Sequence, residues 1–135
     1  MNIFKILNKH KSKLKKIKLI CVGDIILDKY VIGEVHRISP EYPVPILDQK
    51  SQFIKLGGAG NVANNIASIG VQATLLYLNG KDKPSKDINR LLKTIKGIKP
   101  KAIYVKEFIT PVKTRYIDKS HQILRLDNEK KNKIS

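Results

Sequence analysis

Glycines and an asparagine cluster at a turn that leads into a helical pattern, at Gly57, Gly58, Gly60 and Asn61. Glycine lacks a Cβ atom, so it adopts positive φ angles easily and lets another molecule approach the peptide plane. The first N–H groups of the following helix have no partners inside that helix, and they favour oxygen-rich ligands. This turn therefore predicts a binding site for a polar ligand. A plain helix cap is the alternative role of Asn61, since asparagine is among the best capping residues.

The elements around this turn predict an open α/β sheet wound with right-handed crossovers. In chain order they are a basic amphipathic helix (3–16), a buried parallel strand (18–23), a helix (61–68) that ends at Gly70, a strand (73–78), a helix (85–96) and a short strand (102–105). Strand, helix, strand, helix, strand is the order that builds a parallel sheet. The ligand-facing end of the first strand is expected at Gly23 and Asp24, where the apolar run stops.

Apolar spacing also predicts which side chains these helices bury. One face of the first helix carries Ile3, Ile6, Leu7, His10 and Leu14, and we expect it to pack against the edge of the sheet. The second helix is expected to direct Val62, Ile66 and Ile69 into the core. Ser85 is the expected N-cap of the third helix.

Two further regions are rich in β-forming residues but do not fit the central sheet. Residues 28–37 and 44–54 flank the segment SPEYPVP, whose prolines lack the N–H groups that a central ladder needs. We expect these strands at an edge or in a separate flap. Residues 112–117 and 122–126 predict a hairpin around the turn 118–121.

Composition narrows the functional classes. The 135 residues carry 27 basic and 11 acidic side chains, a net charge of +16, which attracts polyanions. However, 23 of the basic residues are lysines spread along the chain, and no nucleic-acid motif accompanies them, so specific nucleic-acid binding is not favoured. The single cysteine, Cys21, cannot form an internal disulfide, so the sequence indicates a reducing compartment or says nothing about redox conditions. We expect Cys21 to be a small buried core residue. No apolar run approaches the roughly 20 residues of a membrane span, and we expect a cytoplasmic protein without membrane attachment.

Three segments resemble a known family in their order and spacing. They are VGDIILDKYVIGEVHRISPEYPVPIL, LGGAGNVANNIASIG and TPVKTRYIDKSHQILRLDNE. The glycine segment resembles the ribokinase-type (PfkB) carbohydrate kinases, and the other two resemble the heptose 7-phosphate kinases within that family. The resemblance runs from about Ile17 to Glu129. It implies the N-terminal half of a doubly wound α/β kinase domain with a small β lid, preceded by the helix (1–16) and followed by a tail (130–135).

The resemblance also implies an activity. Kinases of this branch transfer phosphate from ATP, with Mg²⁺, to the anomeric hydroxyl of D-glycero-β-D-manno-heptose 7-phosphate, a step towards ADP-heptose and the lipopolysaccharide core. In many bacteria the kinase is the first domain of a bifunctional enzyme. The lid often serves as a dimer surface, so the expected partners are the sugar phosphate, a second copy, or a chain that supplies the C-terminal half.

Site residues carry over from the family by position. The resemblance implies that Asp28 accepts sugar hydroxyls, that the turn holds the sugar, and that Lys113 and Arg115 contact the 7-phosphate. The complete set is Asp24, Asp28, Gly57, Gly58, Asn61, Lys113 and Arg115. The role of Asp24, a residue characteristic of the heptose branch, stays open. A solvated loop acid is the alternative for Asp28, and an exposed, structurally neutral hairpin is the alternative for Lys113 and Arg115.

The catalytic signature of the family is not found in the chain. Ribokinase-type kinases carry a GAGD-like turn in the C-terminal half that supplies the general base and binds the transferring phosphoryl group, and nothing after Gly80 resembles it. We therefore expect no catalytic residue here, most of the ATP site to be absent, and a half-sheet of marginal stability. His36 and His121 are expected to be surface or lid histidines rather than metal ligands. A sugar-phosphate-binding remnant and a basic nucleic-acid-binding protein are the alternative functions.

Overall fold

The structure is a computed structural model that describes residues 3–130. Three helices and seven strands follow in the order α1 (Ile3–Leu14), β1 (Lys18–Val22), β2 (Ile25–Ile38), β3 (Pro45–Gly58), α2 (Ala59–Ser68), β4 (Gln72–Asn79), α3 (Lys83–Thr94), β5 (Ile98–Tyr104), β6 (Val112–Asp118) and β7 (His121–Asn128). All but the first residue of the expected tail (130–135) lies outside the described residues. The strands form two sheets.

The first sheet is parallel and has the order β1-β4-β5. α2 leads into β4 and α3 connects β4 to β5, which confirms the predicted alternation of strand and helix. β4 lies in the middle, and its alternate residues Ala73, Leu75 and Tyr77 are buried. They pack with Ile88 and Leu92 of α3 in a single apolar core. The helices thus cover one face of this sheet.

The second sheet has the order β3-β2-β6-β7, and we call it the lid. β2 and β3 form an antiparallel hairpin whose register shifts twice, and the proline segment provides its connection. β6 pairs with β2 in parallel and with β7 in an antiparallel hairpin. The prediction of a separate flap and of a late hairpin is confirmed. Sequence patterns did not show that the two hairpins join into one sheet.

The base of the lid belongs to the same core as the first sheet. β2 begins three residues after β1 ends, and its first inward residues, Ile25 and Leu27, are buried with Leu56 of β3. These three side chains cluster with Ala63 of α2 and Ile88 of α3. The lid is therefore anchored at one end, and its far end extends away from the core.

Two predictions of buried residues are wrong. β1 lies at the edge of its sheet rather than inside it, and Ile20 and Val22 are 73% and 71% exposed. In α2 the predicted core residues Val62 and Ile69 are 52% and 44% exposed, while Gly60 and Ala63 are buried. Small residues occupy the inner face of α2 because the helix lies close to the base of the lid: a Cβ atom at Gly60 would lie 3.0 Å from Ile25 of β2 and 3.2 Å from Leu56 of β3.

Some element boundaries also differ from the prediction. Asp82, not Ser85, caps α3, because its carboxylate accepts a hydrogen bond from the Ser85 amide at 3.0 Å. β5 begins at Ile98, four residues earlier than expected, and it contains Pro100. A proline is tolerated there because β5 is an edge strand that pairs on one side only.

The expected docking of α1 against the sheet edge is not seen where its side chains are described. Ile6 and His10 are exposed and Leu14 is half-buried, while the side chains of Ile3 and Leu7 lie outside what the structure describes. Among residues 3–130, no helix is long and apolar enough to cross a membrane.

Candidate sugar-phosphate site

Asp28 lies where the two hairpins of the lid meet. It is on the central strand β2, opposite Lys55 of β3 and Lys113 of β6 in register. Its Oδ1 atom accepts a hydrogen bond of 2.6 Å from Nη1 of Arg115, which is also on β6. Its Oδ2 atom faces Gly57: a Cβ atom added to that glycine would lie only 2.5 Å from Oδ2. The structure therefore brings Asp28, Arg115 and Gly57 together.

The Asp28–Arg115 pair is partly shielded from water, with side-chain exposures of 17% and 22%. The hydrogen bond from Arg115 to Asp28 raises the pKa of the guanidinium above its usual value, so Arg115 stays charged at any physiological pH. A carboxylate held by one oxygen keeps its other oxygen available to accept hydroxyl donors. Asp28 is thus not a freely solvated loop acid, and that alternative is wrong.

The glycine turn is shaped by backbone contacts with the residues that follow β1. Gly58 has φ +55°, a left-handed conformation that favours glycine. The carbonyl of Asp24 accepts a hydrogen bond of 2.9 Å from the amide of Ala59, the first residue of α2. Asp24 therefore holds the turn through its main chain, and its exposed side chain borders a cleft of about 230 Å³ at the end of β1 and β4.

Asn61 lies on the exposed side of the first turn of α2. The N-cap of this helix is Gly58, and no side chain caps it, so the role of a plain cap is wrong for Asn61. No side-chain hydrogen bond joins Asn61 to another residue within 3–130. Its amide is free to bind a ligand that approaches the turn.

Lys113 and Arg115 are half-buried and paired, so the prediction of an exposed, neutral hairpin is wrong for both. The ammonium group of Lys113 lies 3.7 Å from Asp127 and 4.0 Å from Glu129. Arg125, opposite Arg115 on β7, is itself bound to Asp127 by two hydrogen bonds. Asp127 and Glu129 therefore neutralise much of the positive charge of this face.

An aromatic pair adjoins the ion pair and was missed in the sequence. The rings of Tyr30 and Phe53 are stacked with their centroids 4.8 Å apart. Lys55 and Arg115 place their charged groups 5.7 Å and 5.3 Å from the Tyr30 centroid. The alternation of side chains along a strand could have revealed Tyr30 as a site residue. Asp28 and Tyr30 share one face of β2, just as Lys113 and Arg115 share one face of β6.

Curated proteins match this chain in sequence. The chain is 39% identical over 111 residues to the bifunctional protein HldE of Caulobacter vibrioides, covering 82% of this chain. It is 37% identical over 118 residues to the D-beta-D-heptose 7-phosphate kinase of Bordetella bronchiseptica, covering 87% of this chain. The chain is thus homologous to the N-terminal part of heptose 7-phosphate kinases. No family model matches it.

Solved structures confirm the ribokinase-like fold. A carbohydrate kinase from Agrobacterium tumefaciens superposes with a TM-score of 0.66 at 18% sequence identity, over 83% of this chain and 35% of that one. The chain spans 23% of the bifunctional relative and 37% of the heptose kinase, and it matches their N-terminal part. The match to the heptose kinase therefore covers a little over one third of that protein, in its N-terminal part.

The kinase family uses ATP, and Mg²⁺ is its typical ion. In the part of the chain that the structure describes, no three carboxylate, histidine or cysteine side chains come together to hold a metal ion. We therefore assign none of the described residues to Mg²⁺. His36 is exposed and contacts Glu34 at 2.9 Å, and His121 is exposed, so the prediction of surface histidines is confirmed.

A polar cluster behind the site fixes the strand that carries Arg115, and sequence reasoning missed it. Asp82 accepts a hydrogen bond of 2.9 Å from the amide of Thr110, just before β6. The Thr110 hydroxyl is 3.3 Å from the side chain of Asn79, and it accepts a hydrogen bond from the amide of Gly80. Asn79 and Thr110 are fully buried. The beginning of β6 is thus tied to the carboxyl end of β4.

Proposed function

We propose that this chain forms the sugar-phosphate-binding part of an ATP-dependent heptose kinase, which phosphorylates D-glycero-β-D-manno-heptose 7-phosphate at its anomeric hydroxyl. In this function it acts in the cytoplasm, in the synthesis of ADP-heptose for lipopolysaccharide. Relatives with these names match it over most of its length, which supports the proposal.

The convergence of Asp28, Arg115 and Gly57 at the base of the lid carries this proposal. A fixed carboxylate selects a ligand with adjacent hydroxyl groups, since each of its oxygens accepts more than one hydrogen bond. A glycine at position 57 leaves the space beside that carboxylate open. Asn61 and the first amides of α2 offer further polar contacts. A polyol with an attached phosphate matches this arrangement of charge and hydrogen-bonding groups.

The uncovered face of the three-stranded sheet supports a proposal for where the remainder of a kinase would bind. Ile20, Val22 and Ile103 project from the face of this sheet that the helices leave uncovered, and all three are exposed. An apolar sheet face of this kind is normally covered in α/β proteins. We propose that a polypeptide equivalent to the rest of the kinase relatives covers it and supplies the ATP site and general base, whether it continues this chain or is a separate chain.

The lid is the proposed surface for a second copy. β7 is an edge strand of the lid, and Leu124 and Leu126 on it are exposed. Analytical ultracentrifugation of the full chain and of the variant Leu124→Lys tests this surface. A dimer that the substitution dissociates supports it, and a monomer at all concentrations overturns it.

Calorimetric titration with heptose 7-phosphate tests the proposed function. The full chain is expected to bind the sugar phosphate, and Asp28→Asn is expected to weaken binding about tenfold or more, because a charge-assisted acceptor is lost. Asp118→Asn on the same sheet, whose Oδ1 atom accepts a hydrogen bond from the Val35 amide at the far end of the lid, is the matched control. Failure of the wild-type chain to bind the sugar overturns the proposal.

Turnover separates an active kinase part from a binding remnant. The chain alone is expected to produce no ATP-dependent phosphorylation, whereas addition of a polypeptide equivalent to the remaining part of a heptose kinase restores it. Sugar binding without restored turnover identifies the remnant.

Binding to polyanions tests the alternative of a nucleic-acid-binding protein. Retention on heparin that disappears at moderate salt marks the high net charge as incidental, and salt-resistant, sequence-dependent binding favours a nucleic-acid function instead.

A further inference from the structure

Four charged side chains cross the lid in one row. Lys55, Asp28, Lys113 and Asp127 are register partners on β3, β2, β6 and β7, so they project from the same face of the sheet. Phe53, Tyr30, Arg115 and Arg125 form the next row. This face contains the Asp28–Arg115 pair and therefore belongs to the proposed sugar-phosphate site.

The cations of these two rows differ in how far they are neutralised. Lys113 lies near two carboxylates, Arg125 is held by Asp127, and Arg115 is held by Asp28. Lys55 has no carboxylate within ion-pair distance anywhere in residues 3–130. Its charge is the one in these rows that is left for an external anion.

Aromatic contacts keep Lys55 close to the site. Its ammonium group is 5.2 Å from the centroid of Phe53 and 5.7 Å from that of Tyr30, distances at which a cation is attracted to a ring face. The guanidinium of Arg115 approaches the same Tyr30 ring at 5.3 Å. Lys55 and Arg115 thus adjoin one ring, and a tetrahedral anion above Tyr30 can contact both of them.

We infer that Lys55 binds the phosphate group of the sugar phosphate, and that Arg115 adds the guanidinium N–H groups that its single bond to Asp28 leaves unused. Lys113 serves mainly to orient Asp127 and Glu129. This inference rests on the proposed function and assigns the phosphate to a residue outside the three segments that resemble the heptose kinases. Lys55 thus replaces Lys113, whose charge is already balanced, as the main lysine contact of the phosphate. The stacked Tyr30–Phe53 pair then forms an apolar floor beside the phosphate.

Titration with two ligands tests this assignment. Heptose 7-phosphate and the unphosphorylated heptose are titrated into the full chain and into Lys55→Met, which keeps the length of the side chain. Binding of the sugar phosphate is expected to weaken roughly tenfold or more, as expected for a lost hydrogen-bonded charge. Binding of the free heptose is expected to stay unchanged. Lys55→Arg is expected to retain most of the affinity for the sugar phosphate.

Two control variants make the result specific. Lys29→Met removes the same charge from the opposite face of β2, and Lys113→Met removes the paired lysine. Both are expected to weaken binding of the sugar phosphate less than Lys55→Met does. Equal loss in Lys29→Met, a larger loss in Lys113→Met, or an equal loss for both sugars in Lys55→Met overturns the inference. If the wild-type chain binds neither sugar, the proposed function itself fails, which distinguishes the two outcomes.

Discussion

Nη1 of Arg115 donates a 2.6 Å hydrogen bond to Oδ1 of Asp28, although the two residues lie 87 positions apart in the chain. This contact exists because β6 pairs in parallel with β2 and places Arg115 diagonally across from Asp28. It joins the first hairpin of the lid to the second. The same contact holds the carboxylate that we propose to bind the sugar, so lid assembly and site formation depend on one another.

A double-mutant cycle measures this coupling. Asp28→Asn and Arg115→Met are each expected to lower the free energy of unfolding, and the double variant is expected to be less destabilised than their sum by about 1 kcal/mol, since the pair is only partly shielded. Urea unfolding of the four proteins provides the values. Additive losses would show that the two side chains stabilise the lid independently.

Gly57 is expected to tolerate no larger residue while Asp28 is present. Gly57→Ala places a Cβ atom 2.5 Å from Oδ2 of Asp28 and is expected to cost about 1–3 kcal/mol of stability through overcrowding. In an Asp28→Ala background the cost should fall, because the colliding oxygen is absent. Urea unfolding measures both costs. The same cost in both backgrounds would place the strain elsewhere, for example at Ile26, whose Cβ would be 3.2 Å away.

Asp82 performs two separable tasks, and its variants should show both. Asp82→Ser keeps a capping oxygen for the Ser85 amide but loses the bond to the Thr110 amide, at an expected cost of about 1 kcal/mol. Asp82→Ala loses both bonds and is expected to cost about 2 kcal/mol. Hydrogen exchange of the Thr110 amide should accelerate in both variants, while that of Ser85 should accelerate in the alanine variant alone. Unchanged exchange at Thr110 contradicts the proposed link between α3 and β6.

Tyr77 makes stability depend on pH in the alkaline range. Burial, with a smaller effect of Tyr104, raises the pKa of Tyr77 from 10.0 to about 12. Between pH 10 and pH 12 the folded chain therefore keeps this proton while the unfolded chain has lost it. The resulting contribution to the free energy of unfolding is complete below pH 10 and disappears as the pH rises towards 12. The loss is on the order of 2 kcal/mol. Lysines also titrate here, so the comparison must be made with Tyr77→Phe.

Urea unfolding between pH 9 and pH 12 makes that comparison. The free energy of unfolding of the wild type, minus that of Tyr77→Phe, should fall steadily as the pH rises. Tyrosinate absorbance should show one group in the wild type that ionises later than the rest. Parallel pH profiles of the two proteins would show that Tyr77 has an ordinary pKa.

Local sequence patterns predicted much of the fold because their causes are local. Gly70, with φ +91°, ends α2 as expected, and the prolines between β2 and β3 kept those strands out of the central sheet. Burial was predicted less well. Val62 fits the apolar period of a helix, yet it is exposed. The prediction failed because periodicity identifies an apolar face without showing which neighbour covers it.

Residue types at short spacing were enough to predict the parallel α/β alternation, the glycine turn, the two hairpins and the family resemblance. Three features emerged only in three dimensions: the hairpins share one sheet, Asp28 meets Arg115, and Lys55 lies beside them with no carboxylate partner among residues 3–130. The physical reason is that strand register, and with it every contact between β2 and β6, is set by pairing between distant segments, which no local pattern encodes.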